Sequence, residues 1–433
     1  MRGWKMLAVL LVLPFTASTS FAAGFRIPEA GAKAMGMGFA FTAQADDPSA
    51  IYYNPAGLTQ LKGNNLMVGA TYLALDGGEF TGTTPLTGGA TASESQKSLD
   101  FIIPNAYYTH TTSDGYIAYG VGIFSPFGLG QEYENKNTSI FRNQITLIDL
   151  QTVVVNPTIA FKINEYLSVG AGIDYMWGKA KLEKTPVGPG GLGNLYNSTL
   201  ESDWGLDGDA WGYNFGILLK PTENFRIGAN YRSPFTLKIT DADVTISNTS
   251  PAYGSGLLGP IPSNTKGSAT IAMPATFALG AAYTIGKLTV EADADWTFWS
   301  SFQSLPITIQ DQVPTLFSTN APKQWQDVVA FRIGAEYRVT APLSLRAGFV
   351  YDPTPVPAST MGPELPDSDK LDYTVGAGYK IGSWTIDVAG MYIDKKDRTV
   401  NNQAITAAGG TGFNGTWSGG SAWLASLDIG YRF

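Results

Sequence analysis

The chain has 433 residues, with 50 Gly, 25 Pro, 21 Tyr, 22 Phe and 10 Trp but only 15% charged residues, a composition of strands, turns and aromatics rather than of a helical bundle. A formal charge of −8 argues against a nucleic-acid partner, because phosphate binding needs clustered Lys and Arg to displace counterions. With no Cys and a single His, His110, the sequence sets aside disulfide, thiolate and His-rich metal chemistry, and no cofactor is expected.

At the N-terminus, Arg2 and Lys5 precede an apolar run over residues 6–15, and Ser20-Phe21-Ala22 places small residues at −3 and −1 of a cleavage site. This is a secretory signal pattern over residues 1–22, and its apolar run is shorter than the roughly 18 residues of a spanning helix. Beyond it no apolar stretch is long enough to cross a bilayer as a helix. A membrane-spanning mature chain must then use strands closed into a barrel.

Residues 23–64 carry small residues spaced for close helical packing: Gly31, Ala32, Ala34, Gly36, Gly38, Ala40 and Ala43. Asp47 as N-cap and Pro48 at the first helical position predict a short helix that stops at Asn54-Pro55. Two readings stand for this segment, a small helical plug folded into the lumen or a periplasmic linker.

From residue 65 to 433 the pattern is a period of two. Leu167, Val169, Ala171, Ile173, Tyr175 and Trp177 alternate with Ser168, Gly170, Gly172 and Asp174. Phe331, Ile333, Ala335 and Tyr337 alternate with Arg332, Gly334, Glu336 and Arg338, and Trp423, Leu427, Ile429 and Tyr431 with Ser426, Asp428, Gly430 and Arg432. The charged face cannot sit in hydrocarbon, so it points into the barrel. Short turns fall near 113–115, 164–165, 222–224, 286, 340–342 and 382–383, and long loops near 77–97, 128–143, 183–207, 241–265, 302–323, 353–369 and 396–417. These connections predict an all-β transmembrane antiparallel barrel of about fourteen strands. A soluble sandwich or propeller would share the alternation but not the aromatic strand ends or the strictly alternating loop lengths. Phe433 directly follows a strand, where barrel assembly machinery would read it.

The third strand, 116–124, runs into Ser125-Pro126-Phe127-Gly128. Pro126 lacks an N–H for the ladder and Gly128 tolerates an unusual backbone, so pairing should fail here, either as a gap in the wall or as a simple strand end. Lys179, Lys181 and Lys184 lie at the outer end of a later strand, as contacts for a ligand carboxylate or as solvated lysines bridging lipopolysaccharide.

Ala23-Gly24-Phe25, Ala45-Asp46-Asp47-Pro48-Ser49-Ala50 and Asn54-Pro55-Ala56 resemble the plug of the FadL family of long-chain fatty acid transporters. Pro126-Phe127-Gly128-Leu129, Asn156-Pro157-Thr158, Asp295-Trp296-Thr297-Phe298-Trp299-Ser300 and Leu365-Pro366-Asp367-Ser368-Asp369 follow in family order. The resemblance implies a monomeric outer-membrane barrel of a Gram-negative bacterium, passive uptake of fatty acids or of aromatic hydrocarbons such as toluene, and sideways exit at the kinked third strand. It places Phe25 beside the inner pocket and Asn54, Pro55 and Ala56 against the gap. Lys323 falls among the family's polar pocket contacts, although Gln326 stands where a Lys is expected. The rivals are an open porin, a barrel enzyme and an adhesive barrel; residues 23–64 argue against the first, and His110 offers no Ser-His pairing for the second.

Overall fold

The computed structural model describes residues 24–188, 193–203, 208–251, 261–311, 320–402 and 412–433; the expected signal segment 1–22 lies outside them. Strands dominate because alternate residues find two different solvents. Ile173, Trp211, Ile333, Tyr337 and Trp423 point outward and are exposed, while Asp174, Arg332, Glu336, Asp387 and Asp428 point inward and are buried. This is a soluble protein turned inside out, as a lipid-facing wall demands.

The sheet closes on itself where Gly63–Leu75 pairs antiparallel with Ala422–Arg432, from Asn65↔Arg432 to Leu75↔Ala422. Closure pairs the first long strand with the last and so removes the two end edges of the sheet. The six expected short turns are all present, and Gly115, Gly286 and Gly382 take positive φ in three of them.

The strand count differs from expectation. Twenty strands share the sheet, sixteen of them eight residues or longer, rather than about fourteen. The reason lies at two prolines. Pro234 separates Phe225–Arg232 from Phe235–Ser247, and Pro274 separates Asn264–Met273 from Thr276–Ile285. Phe225–Arg232 pairs directly with Thr276–Ile285, so Phe235–Ser247 and Asn264–Met273 form an extension that pairs instead with Asn197–Glu201 and Ser304–Ile309. Segments expected as loops are therefore partly sheet. Loops 77–97 and 396–417 likewise contribute to a separate four-stranded sheet, whose Phe80 packs on Phe141, Phe413 and Trp417 at 5.0 to 5.5 Å.

Residues 24–61 fold against the inward face. Two short helices, Ala32–Gly36 and Ala50–Tyr53, and a 3₁₀ turn, Pro55–Gln60, are too short to satisfy their own backbone. Wall carboxylates do so instead. Asp293 accepts from the N–H groups of Phe41 and Thr42 at 3.0 Å, Glu291 from Ala43 at 2.6 Å and Gln44 at 2.8 Å, and Asp428 from Ala32 at 2.6 Å. Close approach needs bare backbone opposite: a Cβ on Gly348 would sit 2.2 Å from the Gly38 nitrogen.

Candidate ligand cavity beside an interrupted strand

The strand Leu99–Thr111 is paired along its whole length with Gly63–Leu75 on one side, from Gly63↔Thr111 to Leu75↔Leu99. On the other side it meets Ile117–Phe124 only from Ala106↔Ile123 to Thr111↔Ala118. After Ser125-Pro126-Phe127 the chain resumes as Gly128–Glu132, which bonds to residues 147–151 and not to 99–105. Pairing returns above the break, where the Lys97 N–H donates to the Glu132 carbonyl at 2.8 Å and Gln96 bridges Tyr133. Pro126 accounts for the break, since it has no N–H to offer a ladder.

The freed backbone is met from inside. The Ile27 N–H donates to the Pro126 carbonyl at 2.8 Å, and the Gly128 N–H donates to the Phe25 carbonyl at 3.0 Å. Residues 25–27 thus act as a short strand laid on the kink, and buried polar groups are left paired. Arg26 locks the arrangement, donating to Asp295 at 2.9 Å and to Thr297 at 3.1 Å, while Arg332 holds the second Asp295 oxygen at 2.8 Å. Burial opposes the Arg26 charge, but Asp295 outweighs it and the guanidinium stays firmly protonated. Phe25 sits in an aromatic cage, 4.7 Å from Trp299, 5.6 Å from both Phe302 and Trp325 and 6.1 Å from Phe127.

Next to this latch lies a cavity of about 740 Å³, the size of a site for a small molecule. Leu73, Phe101, Ile103, Leu150, Ile393 and Leu424 give it an apolar wall, and Phe25, Phe127 and Gly128 belong to its lining. Ile102 and Asp100 also line it, and Ile102 is 73% exposed on the outer face. The lining thus runs past the break in pairing to a residue of the outer face.

The expected site residues divide. Phe25, Ser125, Phe127 and Gly128 line the cavity, and Pro126 lies at the kink. Asn54, Pro55 and Ala56 do not sit against the break. Asn54 donates to the carbonyls of Thr42 and Ile217, and Pro55 is pressed against Gly170 and Gly216, on other strands of the wall. From that region it is Ile51 that packs over Gly120 and Gly122 of the kinked strand, and Tyr52 that meets Phe124 edge-on at 5.1 Å. The lysines fare similarly. Lys181 pairs with Glu201 at 3.1 Å, Lys184 is buried at a strand end, Lys179 is partnered, and none of the three lines the cavity. Lys323 is buried in an ion pair with Glu364 at the cavity margin. Arg26, Glu29, Gln131 and Lys395 were not among the expected residues; all four line the cavity. Burial pushes the Glu29 carboxyl up to about 7.

A closed sheet with an apolar exterior, a charged interior and an apolar cavity is the architecture of an outer-membrane β-barrel that handles hydrophobic ligands. The family described as outer membrane protein transport protein (OMPP1/FadL/TodX) matches residues 13–433, and the chain belongs to it. It is therefore an outer-membrane transport protein and not an enzyme. The chain is 27% identical to the long-chain fatty acid transport protein of Escherichia coli O6:H1, over 98% of each chain. It is 25% identical to outer membrane protein P1 of Haemophilus influenzae, over 90% of each. The same fold is found in a FadL homologue from Pseudomonas aeruginosa, with TM-score 0.81 and 21% identity over 95% of this chain and 100% of that one. The toluene transporter TodX of Pseudomonas putida superposes with TM-score 0.66 and 18% identity, over 96% and 100%.

Proposed function

We propose that hydrophobic molecules collect in the 740 Å³ cavity and leave sideways into the bilayer through the break beside residues 125–128. The observation that carries this reading is the missing ladder between residues 99–105 and 128–132, at which the cavity lining passes from Phe25 inside to Ile102 outside. Physics favours the route. A chain gains about 0.8 kcal/mol per buried methylene, so passage from dry pocket to hydrocarbon avoids an aqueous step. Long-chain fatty acids are the first substrate class, after the E. coli relative, and monoaromatic hydrocarbons the alternative, after the toluene transporter.

In this reading residues 1–22 are a cleaved signal, residues 23–64 a plug that closes the lumen, and residues 65–433 the barrel. The protein works as a monomer in outer-membrane lipid and lipopolysaccharide, delivered by assembly machinery that recognises Phe433.

The native chain has no Cys, so paired cysteines at Phe101 and Gly130, which face each other across the break, can be bridged cleanly by a short bismaleimide. Uptake of labelled hexadecanoate and toluene is then measured in cells with matched surface expression. Loss of uptake only in the bridged double variant supports lateral exit; undiminished uptake after complete bridging would sink it and return weight to a vertical channel.

A further inference from the structure

The short turns of the wall fall into two groups. Those at 113–115, 164–165 and 222–224 each carry an exposed acid, Asp114, Glu165 or Glu223, and the cations Lys162, Lys220 and Arg226 beside them balance these acids. Lys162 pairs with Glu165 at 2.9 Å, and Arg226 donates inward to Gln60 at 3.4 Å. The other half of the rim runs strand by strand from Leu288–Thr297 through Val328–Arg338, Lys370–Ile381 and Ala422–Arg432 to Gly63–Leu75. Its turns and strand ends, residues 285–288, 337–343, 379–384, 431–433 and 61–64, contain no acidic side chain. They carry Lys287, Arg338, Lys380, Arg432 and Lys62, all exposed. Among the described residues none of the five has a carboxylate within 4.0 Å, the Phe433 chain end included.

Three of these cations repeat one pattern. Tyr337-Arg338, Tyr379-Lys380 and Tyr431-Arg432 stand at the ends of three strands that run the same way, each two strands from the next. Strands lie about 4.8 Å apart, so the cations recur roughly every 10 Å along the rim. Tyr337, Tyr379 and Trp384 are half-exposed on the outer face, and Trp384 packs 4.6 Å from Tyr431. Aromatic rings so placed sit at the headgroup level of a bilayer, which puts the cation one residue on at the depth of the lipid phosphates. Tyr116 and Tyr166 give the other half the same aromatic belt, so the belt does not explain why the cations gather on one side. Gly286-Lys287 and Gly382-Ser383 are two-residue turns and hold their charges flush with the headgroups, where a lipid meets them before a soluble protein can.

We propose that this half of the short-turn rim is a binding surface for anionic phospholipids of the leaflet it meets, the periplasmic one. Phosphodiester headgroups supply the counter-charge that Arg338, Lys380 and Arg432 lack, and the acyl chains pack on Tyr337, Tyr379 and Trp384. A zwitterionic headgroup brings its own cation and leaves the excess positive charge in place. None of these residues lines the ligand cavity, so the surface is independent of the transport route.

Because the chain has no Cys, one fluorophore can be attached at Ser383→Cys in the cationic half and another at Ser113→Cys in the balanced half, both exposed positions. The full-length barrel is placed in phosphatidylcholine nanodiscs, and quenching is titrated with phosphatidylglycerol or phosphatidylcholine bearing the same nitroxide-labelled chain. At low salt the phosphatidylglycerol-to-phosphatidylcholine affinity ratio at Ser383 is expected to exceed about tenfold, with the ratio at Ser113 within about twofold of unity. Lys380→Gln should lower the Ser383 ratio about fivefold, the worth of one cation near a membrane surface. The triple variant Arg338→Gln, Lys380→Gln, Arg432→Gln should bring it to the Ser113 value, as should roughly 1 M salt in the wild type. Equal ratios at the two positions, or a Ser383 ratio that survives the triple substitution, would overturn the proposal. So would a Ser383 reporter blind to headgroup charge but responsive to poly-glutamate, which would assign the arc to an acidic polypeptide. Should the triple variant fail to assemble, Lys380→Gln and the salt titration of the wild type decide by the same ratio.

Discussion

One strand has two unlike edges, and the contrast locates the unusual part of this barrel. Along Gly63–Leu75, the strand Leu99–Thr111 is bonded from end to end; along the opposite edge the ladder stops at Ala106. The unpaired stretch 99–105 contains Pro104, which has no N–H to give, and the neighbouring strand adds a second interruption. Gly63–Leu75 is regular, whereas Ser125-Pro126-Phe127 removes a donor and redirects the chain. The interrupted ladder thus has a proline on each flank, and the groups freed at 126–128 are met by a third segment, residues 25–27.

The largest expected effect on this contrast comes from Asp295. Asp295→Ala leaves Arg26 and Arg332 buried without their shared carboxylate, which should cost about 3–5 kcal/mol. Residues 25–27 should then detach, seen as fast hydrogen exchange at Gly128 while the Thr71 and Ile103 amides of the intact edge stay protected. Uniform deprotection of both edges would refute the latch.

Glu29 gives a pH dependence of smaller size. Its carboxyl is pushed by burial from 4.5 up to about 7, so the folded state holds the proton more tightly than the unfolded chain. Docking of the N-terminal segment should therefore weaken as pH rises from about 4.5 through 7, by at most about 3 kcal/mol. Protease protection of residues 25–35 should fall across that window in the wild type and stay level in Glu29→Gln; a protection curve that rises with pH in the wild type would contradict the assignment.

Gly128→Val acts on the kink alone. Even a Cβ at Gly128 would lie 2.7 Å from the Ile27 side chain, and overpacking of this kind costs about 1–3 kcal/mol. Raised leakage of hydrophobic dyes through the variant, with normal assembly, would follow; a tighter wall would not. Lys181→Ala should do least. Its pairs with Glu201 and Glu183 are about one-third exposed on the lysine side, and such surface pairs contribute about 0–1 kcal/mol. Ligand binding should be unchanged, and a clear loss would put Lys181 back in the ligand path.

Much of the wall was legible in sequence because its causes are local. Alternation at Phe331-Arg332-Ile333 places adjacent side chains on opposite faces whatever lies elsewhere, and the glycines at 115, 286 and 382 mark hairpins through their own backbone. Pro126 announces its missing donor by its identity. What the sequence left undecided concerns partners far apart in the chain. Arg26 and Asp295 are separated by 269 positions, and no local pattern says that they meet. Asn54-Pro55-Ala56 has clear turn chemistry, yet only the packed structure sets it against Gly170 and Gly216 rather than at the kink. Lys179, Lys181 and Lys184 look like ligand contacts until Glu201 and the strand ends claim that face, while Lys395 comes to line the cavity only once its strand takes its place in the sheet. Secondary structure and facing follow from neighbours in sequence; the opening, its latch and its polar rim follow from which distant charges find a partner once the sheet has closed, and which do not.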